Sequence, residues 1–177
     1  VGNTGTFSGT RPQNTDAGGA STFANLSVNL AGTKSLDASA TSYTGATSSA
    51  FVISAAAANK LAFVQQPTNA VITVAIAPPI TVEIQDQFGN VTTSNASVAM
   101  AIGTNPGGGT LSGTTPQSGV SGIATFNNMS INQPWAGYTL AASSSGLTGA
   151  TSSGFTIMGS APSTMSVPSG LTIIGLP

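Results

Sequence analysis

The chain has 177 residues, 40% of them apolar, with three basic and four acidic side chains, so that charged residues make up 4% of it against about 25% in an average domain. A net charge of −1 without clustered Lys or Arg excludes a grip on nucleic-acid backbone or on anionic lipid. The absence of His and Cys excludes Ser-His and Cys-His catalysis, thiolate metal sites and disulfides.

In chain order, the first elements are short strands around Thr6–Ser8, Ser21–Val28, Ser35–Ala40 and Ser48–Ile53, with Phe7, Phe23, Leu26, Val28, Leu36, Phe51 and Ile53 as inward candidates. The segment "SAAAANK", Ser54–Lys60, reads as a linker. From Leu61 the period is two. Leu61 and Phe63 share a face, as do Ile80, Val82 and Ile84, then Val98, Met100 and Ile102, then Tyr138, Leu140 and Ala142, then Phe155 and Ile157. Between these runs lie the turn signals "QDQFGN", "NPGGG", "SGVSG" and "SSSG". Helix signals are nearly absent, and no apolar run approaches the roughly 18 residues of a membrane-spanning helix, so no membrane insertion is expected. Short strands at this spacing predict an all-β, immunoglobulin-like antiparallel sandwich of about seven strands over 61–157. Residues 158–177 form a tail punctuated by Pro and Gly.

The chain repeats itself. "GTFSGTRPQ" at Gly5–Gln13 matches "GTLSGTTPQ" at Gly109–Gln117, "ASTFANLSVN" at Ala20–Asn29 matches "IATFNNMSIN" at Ile123–Asn132, and "TGATSSAFVI" at Thr44–Ile53 matches "TGATSSGFTI" at Thr148–Ile157. Residues 61–157 read as one complete unit. Residues 1–53 read as the C-terminal half of another.

The phrases "KLAFVQQP", "ITVEIQDQFGNVTT" and "GIATFNNMSI" resemble the bacterial immunoglobulin-like repeats of invasin- and intimin-type surface proteins, the most specific part being Val82 to Asn90. The resemblance covers Lys60 to Ile157 and, by repetition, Gly5 to Ile53. It implies secreted, tandemly arrayed, non-catalytic modules that serve as stalks, spacers, adhesive units or fibre subunits. The absent first half of the first copy departs from that pattern.

No catalytic constellation is expected. Glu83 and Asp86 could form a carboxylate pair, but a solvated strand residue and a turn-forming Asp account for them. Calcium takes six to eight oxygens, and four acids scattered through the chain do not supply a cage, so no metal or cofactor is expected. The glycine-rich "GTNPGGGTLSG" has no Lys and no following helix, and reads as a loop rather than a phosphate cradle. Asn25, Asn90, Asn95 and Asn128 each open an N-x-S/T triplet and are candidate glycan acceptors. Trp135 and Tyr138 read as strand-entry packing, with a carbohydrate platform as the other reading.

The half copy sets the functional expectation. About 50 residues do not normally build a stable sandwich alone, and the apolar face of Phe7, Phe23, Leu26 and Phe51 needs cover. Either an upstream half lies outside these residues, or another subunit supplies the strands. In the second case the tail, with Met165, Val167, Leu171, Ile173 and Leu176, is the candidate donor, and other copies of the chain are the partners. The expected role is a structural subunit of an extracellular filament or cell-surface stalk that assembles head to tail. The alternative is an adhesin segment whose loops recognise surface glycans or a host protein.

Overall fold

The computed structural model describes residues 5–160, which form β-structure and turns with no helix among them. Six short strands come first: β1 (Phe7–Ser8), β2 (Ser27–Val28), β3 (Gly32–Lys34), β4 (Asp37–Ala38), β5 (Ala46–Thr47) and β6 (Phe51–Ile53). They pair as β1 with β2, β3 with β6 and β4 with β5, all antiparallel.

Twelve strands follow. They are β7 (Lys60–Gln65), β8 (Ala70–Val71), β9 (Ile80–Gln85), β10 (Ser97–Ile102), β11 (Leu111–Ser112), β12 (Gln117–Ser118), β13 (Ile123–Phe126), β14 (Ser130–Ile131), β15 (Trp135–Tyr138), β16 (Leu140–Ser143), β17 (Ala150–Thr151) and β18 (Phe155–Met158). They form the sheets β13-β9-β7, β12-β10-β16-β17, β15-β18-β8 and β11-β14. More and shorter strands appear than the periodicity suggests, and two ladders carry bulges, between Phe63 and Gln65 and between Ala136 and Tyr138. One pairing departs from the antiparallel expectation: β18 runs parallel to β8, with Ile157 opposite Ala70.

Period-two patterning is what places the core. Ile80, Val82 and Ile84 are fully buried while Thr81, Glu83 and Gln85 between them are half-buried. Phe126 lies beside Ile80 in the same sheet, and with Val98, Met100, Ile131, Tyr138, Leu140, Phe155 and Ile157 they form one apolar cluster drawn from residues 61–157. Sandwich packing of two inner faces accounts for this arrangement. Ile76 and Met129 join the core from outside any strand. Strand β7 begins at Lys60 and β18 ends at Met158.

Candidate functional site: an uncovered face and a buried joint

The two copies share a frame of hydrogen bonds as well as sequence. The Thr10 N–H donates to Asn25 Oδ1 at 3.0 Å, as Thr114 N–H does to Asn128 Oδ1 at 2.9 Å. Asn25 Nδ2 returns a bond to Thr10 Oγ1 at 2.9 Å, and Asn128 Nδ2 does the same to Thr114 Oγ1 at 2.9 Å. The Leu36 N–H donates to Ser48 Oγ and the Leu140 N–H to Ser152 Oγ, each at 2.9 Å. Even the glycines correspond. Gly9 and Gly113 have φ of 128° and 125°, and a Cβ on either would meet the Asn25 or the Asn128 carbonyl oxygen at 2.8 or 2.7 Å.

Strand pairing shows what the first copy lacks. Its three pairings, β1-β2, β3-β6 and β4-β5, match β11-β14, β15-β18 and β16-β17 of the second copy. In the second copy β12 pairs with β10, β13 with β9, β16 with β10 and β18 with β8, and each of those partners lies in residues 60–102. The first copy has no counterpart to these among the described residues. Accordingly residues 13–14 and 20–23, which match β12 and β13, are not strands at all. The sequence expectation of one strand over Ser21–Val28 is thus corrected to Ser27–Val28, because a strand edge without its ladder partner leaves its backbone to solvent and turns.

The same deficit appears in burial. Phe126, paired with Ile80 of β9, is 0% exposed, whereas Phe23, at the matching place, is 42% exposed. Phe7, Leu26, Leu36 and Phe51 are half-buried and, with Phe23, Val28 and Ile53, line adjoining grooves; the one floored by Phe7, Phe23, Leu26 and Leu36 has a volume of about 320 Å³. Arg11 and Asp37 stand on its wall. The Arg11 guanidinium lies 4.1 Å from the centroid of the Phe7 ring, and Asp37 Oδ1 accepts the Thr47 hydroxyl at 2.6 Å. Structure therefore gathers Phe7, Phe23, Leu26 and Phe51 around one open face. Met165, Val167, Leu171 and Ile173 lie outside the described residues.

A second feature was legible only as a turn. Asp86 is 0% exposed, not at the surface. Its carboxylate accepts the N–H groups of Phe88 and Asn90 and of Ala56 in the linker, each at 2.9 Å, and Asn90 Nδ2 at 2.7 Å. Burial pushes this carboxyl up, but the Asn90 amide and the N–H groups of Ala56, Asn90 and Phe88 outweigh it and hold it at about 2. Asn90 in turn grips the first copy: Nδ2 donates to the Asn29 carbonyl and Oδ1 accepts the Ala31 N–H, both at 2.9 Å. The linker is thereby fastened rather than loose. Sequence spacing identified Asp86 as a turn former, but its contact with Ala56 spans 30 residues and no local pattern reveals it.

These contacts change two expectations. Asn90 is buried with both amide hydrogens donated, which removes it from the glycan acceptors, while Asn25, Asn95 and Asn128 are exposed. Glu83 is half-buried and accepts Gln85 Nε2 at 2.8 Å, so it and Asp86 are engaged separately instead of forming a pair. Tyr138 packs in the core with its hydroxyl donating to the Gln133 carbonyl at 3.1 Å, whereas Trp135 is 58% exposed. No group of three or more His, Cys, Asp or Glu lies together among the described residues. No family model matches the chain, and no curated protein matches it.

Proposed function

We propose that this chain is a non-catalytic structural subunit of an extracellular filament or cell-surface stalk, built from immunoglobulin-like repeats, in which the first copy is completed by β-strands from a neighbouring subunit. The observation that carries this reading is the contrast between the sealed Phe126 and the open Phe23 in two copies with one hydrogen-bonded frame. An apolar face flanked by unpaired strand edges is a template for added strands. The near-absence of charge is in keeping with this, since little like-charge repulsion opposes stacking. The Asp86–Asn90 joint supports a load-bearing spacer, because it ties one copy and the linker to the other through a buried carboxylate and amide.

Exposure of Trp135 favours a second reading, an adhesin segment that stacks the indole on a sugar. Negative-stain images of native material that carries this chain separate the two. Extended fibres or stalks are expected; a dispersed monomer retained on immobilised glycans would favour adhesion instead.

A further inference from the structure

We infer that Asn95 is the N-linked glycan acceptor among the four N-x-S/T triplets of this chain, and that its sugar solvates an apolar rim of the second copy. The inference goes beyond the assembly reading and shares with it only the export of the chain.

Three of the four triplet amides are already in use. Asn90 is buried, with both amide hydrogens donated. Asn25 and Asn128 are exposed, yet each holds one threonine by two bonds: Oδ1 accepts the Thr10 or Thr114 N–H, and Nδ2 donates to the hydroxyl of the same residue. A carboxamide grips a single residue in this way along its outer edge, with the hydrogen that lies beside Oδ1 and trans to Cβ. A sugar takes that same position, because a secondary amide keeps its two carbon substituents trans. Glycosylation of Asn25 or Asn128 would therefore put the anomeric carbon where Thr10 or Thr114 stands, and would break a bond that both copies keep.

Asn95 differs. It is exposed, in the non-strand segment between the Gln85–Val91 bridge and β10. Local turn bonds there use the Thr92 and Ser94 hydroxyls, which accept the N–H groups of Ser94 and Ala96 at 3.3 and 3.2 Å, and the Asn95 amide takes part in neither. Ser97, the third residue of the triplet, is exposed at the start of β10, opposite Ser118. Asn95 thus offers a transferase a solvent-facing amide with a hydroxyl two residues on.

The surroundings give the sugar a purpose. All seven charged side chains lie in residues 11–86, and residues 87–177 hold none. The Ala96 carbonyl accepts the Gly119 N–H at 3.0 Å, which sets Asn95 beside Val120, 76% exposed. Val91 and Ile123, close to Val120, are exposed as well. An uncharged surface with such a patch promotes association, and a glycan there supplies the hydration that charge does not. The transfer takes a glycosyl diphosphate donor. Asn95 Nδ2 bonds to the anomeric carbon, the bond from that carbon to the diphosphate oxygen breaks with its electron pair, and the displaced Nδ2 proton passes to the transferase.

The test is peptide mass spectrometry on a peptic digest of native material that carries this chain. Peptides containing Asn95 are expected to carry the mass of one or more sugars, and those containing Asn25, Asn90 or Asn128 to be bare. In the producing organism, Ser97→Ala is expected to remove the sugar although Asn95 remains. Asn128→Gln is expected to leave the sugar in place and lower the denaturant midpoint. A bare Asn95, a sugar on Asn25 or Asn128, a sugar that persists in Ser97→Ala, or an unchanged midpoint in Asn128→Gln would overturn the inference. Fibres whose Asn95 is bare would overturn it and leave the structural reading intact. A sugar on Asn95 of material that shows only dispersed monomers would sink the structural reading and leave this inference standing.

Discussion

Asn90 holds Ala31 across 59 residues of sequence, its Oδ1 accepting the Ala31 N–H at 2.9 Å, and through that bond the second copy positions the first. The amide has no spare capacity, since its hydrogens go to Asp86 and to the Asn29 carbonyl. Asn90→Ala should therefore release the first copy and leave the second folded. Exchange at the Ala31 amide should accelerate and protease cleavage within 54–59 should increase, while amides of β9 and β16 stay protected. Unchanged cleavage would show that the joint does not hold the linker.

Asp86 should be the more costly loss. Replacing it with Ala strands the N–H groups of Ala56, Phe88 and Asn90, and a hydrogen bond to a charged group is worth about 1.5–3 kcal/mol. Denaturant unfolding of Asp86→Ala is expected to show a loss of at least about 2 kcal/mol. Glu83→Gln, on the half-buried face of the preceding strand β9, should change little.

The same carboxylate sets an acid response. Its folded value of about 2 lies below the ordinary 3.8, so the ionised form is the one stabilised by folding. That contribution, about 2 kcal/mol for a shift of this size, is present above pH 4 and is lost as pH falls toward 2. Unfolding midpoints at pH 5, 3 and 2 should drop across that window in the wild type and much less in Asp86→Asn. Parallel drops in both would assign the acid response elsewhere.

Much of this architecture was legible from residues. Alternation fixed the inward sets Ile80/Val82/Ile84 and Leu140/Ala142, because a half-buried strand must segregate its faces. Repetition identified the half copy and its uncovered Phe23. What stayed hidden depended on partners distant in sequence. Asp86 and Asn90 resemble turn residues until the Ala56 and Ala31 backbone is seen against them, and residues 20–23 have strand composition but lack the neighbour that would make them one. Asn90 also illustrates why a glycan triplet is uninformative without burial.

The two phenylalanines should respond unequally to truncation. Phe126→Ala removes a ring from a closed core and should cost about 3–5 kcal/mol in a denaturant melt. Phe23→Ala in the free chain should cost far less, yet it should weaken incorporation into native assemblies. Equal costs in the free chain would mean that the first copy is already closed.

Amide hydrogen exchange at residues 20–23, compared with 123–126, bears most directly on whether the first copy is finished by strands from outside. In the dispersed 177-residue chain, 20–23 should exchange freely while 123–126 are protected, and in assembled material both should be protected alike. Protection of 20–23 in the dispersed chain equal to that of 123–126 would contradict it.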